Sequence, residues 1–133
     1  MKVKSNFSDM KTSEQVKTII DFLEETLKAY AWHYEQVGKM DKATQDILHS
    51  FELDKMTSNG RSKLTTALIK TRRERRKHKD VAETLEPLTV FIEANIDTKL
   101  LHQFKETLGK VRKVEQYHQN RTYRKKISKE GTN

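Results

Sequence analysis

A chain of 133 residues with no cysteine and a single proline is sized for one hydrophobic core and excludes a disulfide framework or a thiolate metal centre. Apolar residues make up 34% and charged residues 35%, a balance that favours long surface-charged helices over sheet, and no apolar run approaches the ~20 residues that cross a bilayer. The net charge of +8 suits an anionic partner, and a polar amino terminus without the apolar core of an export signal fits a soluble protein of the reducing cytoplasm.

Residues 1–11 show no periodicity and read as a loose leader, ahead of Thr12 and Gln15, whose spacing is that of a capping box. Val16, Ile19, Ile20, Leu23, Leu27, Tyr30, Tyr34 and Val37 follow at three- and four-residue steps, which predicts a helix that Gly38 ends. Asp41 can cap a short second helix carrying Ile47, Leu48 and Phe51, closed by the break at Thr57, Ser58, Asn59 and Gly60. A third helix opens near Asn59 or Arg61 on Leu64, Ala67, Leu68 and Ile69 and resumes with Val81, Ala82, Leu85, Leu88 and Ile92. Pro87 either bends it or begins a new piece. A fourth, capped by Asn95 or Asp97, carries Leu100, Leu101, Phe104, Leu108, Val111 and Val114. The expected fold is all-α: a three- or four-helix bundle or an elongated helical hairpin of long amphipathic helices. It forms one domain over 12–127, alone or completed by a second copy, with a flexible tail at 128–133.

The charge is concentrated. Residues 61–79 hold nine cations against Glu74, and residues 110–129 hold eight against Glu115, so the rest of the chain is acidic. From Lys70 to Asp80 no side chain is apolar, so nearly three helical turns offer nothing to plant in a core and are expected to be solvated or bound. Clustered like charges oppose helix formation unless an anion neutralises them, and arginine forks two hydrogen bonds onto a phosphate. Within this run Thr71, Arg72, Arg73, Glu74, Arg75 and Arg76, followed by Lys77 and Lys79, resemble the arginine-rich RNA-binding helix of lambdoid phage antiterminators. The resemblance implies a helix lying on an RNA hairpin with phosphate contacts from Arg72, Arg73, Arg75, Arg76, Lys77 and Lys79. In style the whole chain is similar to the small helical early proteins of phages of Gram-positive bacteria.

The second basic stretch interleaves aromatic and cationic residues, a pattern suited to tracking a nucleic-acid backbone. Arg121, Tyr123, Arg124, Lys125 and Lys126 are its candidate contacts. Asp46 with His49, and Glu115 with His118, have the spacing that sets two metal ligands on one helical face. The acids Glu24, Glu25, Glu35 and Glu106 flank the apolar stripes instead of entering them, so no metal or other cofactor is expected, and His33 and His102 read as surface or boundary residues. With no Gly-rich phosphate loop, nucleophile elbow or His-Glu-x-x-His segment, no catalytic residue, enzyme activity or small-molecule substrate is expected. Trp32, with Phe22 and Ala29, forms a second apolar strip on helix one. The function expected from these residues is non-enzymatic nucleic-acid binding, to RNA or DNA, as in a phage regulatory factor. The alternative is a helical adaptor or inhibitor docking on another protein through Trp32, such as a phage factor acting on a host or defence complex.

Overall fold

The computed structural model describes residues 9–122. Among them there are three long α-helices and no strand: α1 (Thr12–Leu53), α2 (Ser58–Asn95) and α3 (Thr98–Asn120). The fold is all-α, as its composition requires. None of the three helices is long and apolar enough to cross a membrane.

The first two expected helices are one. Gly38 does not end α1, because a glycine stops a helix by taking a left-handed conformation and no glycine among the described residues has positive φ. Val37 before it is buried, Met40 and Thr44 after it continue the same stripe, and Asp41 sits inside the helix instead of capping a new one. The chain turns instead at 54–57. Thr57 adopts an extended backbone and its side-chain oxygen accepts from the Gly60 N–H at 3.1 Å, capping α2. A Cβ on Gly60 would stand 3.4 Å from that oxygen, an ordinary van der Waals contact, so the cap does not itself demand glycine there. Pro87 lies inside α2 on its exposed face and does not divide the helix. α3 starts directly after Asp97.

The helical domain expected over 12–127 resolves into two compact units, both of which include part of α1. The larger unit, Asp21–Asp97, is an antiparallel hairpin of α1 and α2, since His33 meets His78 and the earlier Arg75 meets the later Asp41. Its seam is read off the burial pattern. On α2, Leu64, Leu68, Thr71, Arg75, His78, Ala82, Leu85, Thr89 and Ile92 recur in alternating steps of four and three, and every one is buried or half-buried. On α1 the matching set is Leu23, Thr26, Tyr30, His33, Val37, Met40, Thr44, Ile47 and Phe51. An alternation of three and four averages 3.5 residues, the repeat that keeps one stripe of a long helix turned to its neighbour. The polar run from Lys70 to Asp80 is therefore not free of the core: Thr71, Arg75 and His78 carry the seam through it.

Threonines on these helices mostly satisfy themselves. Thr26, 5% exposed, donates to the Phe22 carbonyl at 2.6 Å, and Thr44, Thr65, Thr66 and Thr84 do likewise one turn back. Thr89 is 3% exposed and its hydroxyl has no partner, a loss typically worth about 1–3 kcal/mol. Replacing Thr89 by valine, which keeps the shape and removes the hydroxyl, is expected to raise unfolding free energy by about 1 kcal/mol in urea titration. A destabilised variant would show that the hydroxyl is bonded in solution.

The smaller unit joins residues 9–20 with 98–122. Ile20 and Leu108 are its buried apolar side chains, and α3 contributes Leu101, Phe104, Leu108, Val111 and Glu115, again at steps of three and four. Ile19, expected in the stripe, is half exposed. The last α3 position is an acid for a reason the sequence does not display: the Glu115 carboxylate accepts the Ser13 backbone N–H at 3.1 Å, satisfying one of the orphan donors at the start of α1. Those Ser13 hydrogen bonds hold Glu115 below the usual carboxylate range, assisted by Lys11 and Arg112 against the opposing effect of burial. The cap expected from Thr12 thus lies one residue earlier, where the Lys11 carbonyl accepts from Gln15, and its acid comes from 102 residues away in sequence.

Candidate nucleic-acid interface

The basic run of α2 lies in the middle of the hairpin, and helical geometry sorts its cations into different settings. Arg75 falls on the seam. Its Nε donates to Asp41 Oδ1 at 2.6 Å and its side chain is 20% exposed, so this guanidinium is committed to α1. Arg72, one turn earlier and half exposed, reaches the same carboxylate at 3.6 Å and keeps most of its donors outward. Arg73 and Arg76 are exposed; Arg76 has Asp80 at 3.6 Å in an open i,i+4 pair. Lys77 is exposed beside Glu74 at 3.3 Å. Lys79 stands 5.4 Å from the Tyr34 ring centroid, held against α1 by a cation–π contact. Exposed pairs of this kind contribute at most about 1 kcal/mol and yield to a better-placed anion.

Three consecutive residues of α1 organise the seam beside this run. His33 points inward, and its Nδ1 lies 2.9 Å from His78 Nδ1, so the two rings share one hydrogen between α1 and α2. Trp32 falls on one edge of the seam, its ring 4.9 Å from His33 and 5.3 Å from His78 in edge-on contacts. Tyr34 falls on the other edge, beneath Lys79 and 4.9 Å from the Tyr30 ring. Burial pushes the Tyr30 hydroxyl up to about 12, with help from Tyr34 and from the Glu86 and Glu93 carboxylates of α2. The hairpin therefore has a charged edge, carrying Tyr34, Asp41, Arg72 and Lys79, and an opposite edge with Trp32 on α1 and, one residue before His78, Lys77 on α2.

His33, read from the sequence as a surface or boundary residue, is half-buried on the seam. Burial, then the neighbouring His78, lowers its pKa from 6.5. A lowered histidine pKa means that the folded chain binds fewer protons than the unfolded chain. The contribution of His33 to hairpin stability is fully present above about pH 6.5 and is lost as pH falls from there through the folded value. Urea midpoints measured from pH 8 to pH 5 should fall across that window, and His33→Asn should flatten the fall. A native profile already flat there would contradict the pairing. Glu115 adds its own loss only as pH drops below 4.5.

The other candidates divide plainly. Arg121 is exposed just past the end of α3, in the smaller unit, whereas the run at 61–79 belongs to the hairpin. Tyr123, Arg124, Lys125 and Lys126 lie outside the described residues, as does the tail at 128–133. Asp46 and His49 are exposed, Glu115 is engaged with Ser13, and His102 is a surface residue 3.0 Å from Glu106. Among the described residues no three side chains of His, Cys, Asp or Glu gather into a metal-sized cluster. Reading the sequence by apolar residues alone missed Asp41, His33 and His78. The signal that finds them is the unbroken alternation of three and four through polar residues. No family model, curated protein or solved structure matches the chain.

Proposed function

We propose that the protein binds nucleic acid through the outward cations of α2, with Arg72, Arg73, Arg76, Lys77 and Lys79 on phosphates and Arg121 as an auxiliary contact. The observation that carries this reading is the excess of exposed cations after the structure has used what it needs. Of the cations at 72–79, Arg75 is tied into the seam and Lys79 lies over the Tyr34 ring, and the others face water or make open pairs. Phosphates neutralise such a surface and release counterions, which makes binding salt-dependent. The charged edge also carries Tyr34, an aromatic face beside the cations. Contacts of this kind read backbone more than sequence, so RNA and DNA both fit the chemistry.

The test is binding of the full chain to a labelled RNA hairpin and to a DNA duplex over a salt series. A steep fall of affinity with salt supports the reading, and the tighter ligand names the class; no binding at low salt sinks it. The second reading, an adaptor or inhibitor docking on another protein, is favoured by Trp32, which is 51% exposed on the edge opposite Tyr34 and Lys79.

A further inference from the structure

The outward residues of α2 between 61 and 79 are sorted by type around the helix. Leu64, Leu68, Thr71, Arg75 and His78 turn to α1, and every other residue of 61–77 except Glu74 is exposed, so the whole outer face of this stretch is open. Lys63, Lys70 and Lys77 recur at steps of seven and form one row, on the side of Trp32. Arg72, Arg76 and Lys79 recur at steps of four and three and form a second row, on the side of Tyr34. Between the rows runs a ridge of Ser62, Thr66, Ile69 and Arg73, again at steps of four and three, with Ile69 47% exposed. The two rows of cations stand on opposite flanks of one helix, about 10–12 Å across.

Such an array is complementary to two phosphate backbones. Granting the nucleic-acid reading, on which this step rests, we infer that α2 docks in the major groove of duplex DNA. Lys63, Lys70 and Lys77 then lie on the phosphates of one strand and Arg72, Arg76 and Lys79 on those of the other, with Thr66 and Ile69 at the floor. The groove of B-form DNA is about 12 Å wide and about 8.5 Å deep and admits one α-helix, and its floor carries thymine methyl groups that suit the methyls of Thr66 and Ile69. From Leu64 to Ile92 the inner face of α2 is covered by α1, so only the outer face can enter. The major groove of an RNA duplex, deep and narrow, keeps its floor from a helix backed in this way. A single strand offers one backbone and leaves one row of cations unneutralised. Charge also sets where the docking ends. Residues 80–97 hold five acids and no cation, and Asp80 follows Arg73 along the ridge, so carboxylates face any phosphate beyond Lys79. From Lys63 to Lys79 the helix runs about 24 Å at 1.5 Å per residue, the length of about seven base pairs.

The experiment measures binding of the full chain to a short DNA duplex, to an RNA duplex of the same sequence and to one strand of the DNA alone, over a salt series. Dimethyl sulfate footprinting of the DNA duplex accompanies it. The DNA duplex is expected to bind tightest, with protection of guanine N7 in the major groove and none of adenine N3 in the minor groove. Replacing Lys63, Lys70 and Lys77 together by glutamine should weaken duplex binding about 30-fold and reduce the salt slope by about three. The helical circular dichroism of that variant should be unchanged, since all three lysines are exposed. An RNA duplex or single strand that binds as tightly as the DNA duplex overturns the groove and leaves the nucleic-acid reading standing. So does protection of adenine N3 instead of guanine N7, or native affinity in the lysine variant. Absence of binding to every probe at low salt removes both.

Discussion

Replacing Arg72, Arg73 and Arg76 together by alanine, with Arg75 left in place, is expected to lower nucleic-acid affinity by two orders of magnitude or more while leaving the hairpin folded. All three guanidinium groups are turned outward, and their acidic neighbours, Asp41 at 3.6 Å from Arg72 and Asp80 at 3.6 Å from Arg76, are themselves about half exposed or more. Each lost phosphate contact removes about one unit from the slope of log affinity against log salt, so on duplex DNA the slope should shrink by about three. Arg75→Ala is the discriminating control. It strips Asp41 of its 2.6 Å partner at the seam and should cost about 1–2 kcal/mol of stability. If Arg75→Ala reduces binding more than the triple variant at a temperature where both are folded, the outward cations are not the contact surface. Testing all four arginines as one block would confuse the two effects, because one of the four holds the helices in register.

Ile92→Ala is expected to cost about 3 kcal/mol in urea unfolding at fixed protein concentration, the largest single-residue loss in the hairpin. Its side chain is 2% exposed and is the largest of those fully buried, and truncation leaves a cavity besides losing the transfer free energy of the removed methyl groups. Val90→Ala, two residues away and 60% exposed, should change stability by less than about 0.5 kcal/mol. The contrast is sharp because three apolar side chains make up the buried core of this unit, and none can be lost without a large fraction of a marginal total. Equal effects of the two substitutions would mean that α2 is rotated relative to the seam described.

Composition and periodicity were enough to settle the helical class, because a chain so charged, with one proline and four glycines, has neither the alternation nor the turns that sheet requires. They also placed most of the apolar seam and the start of α3, which are local properties of the chain, and set the turn between α1 and α2 at 57–60, about three residues later than the turn at 54–57. What was decided only in three dimensions is what polar residues do there. Gly38 has the form of a stop, but with Val37 buried and Met40 half-buried on the same stripe the helix runs on. Arg75 is chemically the same as Arg72, Arg73 and Arg76, and only its position on the 3.5-residue repeat, opposite Asp41, makes it structural. His33, His78 and Glu115 find their partners 45 and 102 residues away, at separations to which no local pattern is sensitive. Local sequence determines which stretches are helical and how charged they are, because backbone geometry and periodicity act over a turn or two. Whether a charged side chain is spent inside the protein or left for a ligand depends on what the neighbouring helix places opposite it, and that is set by packing.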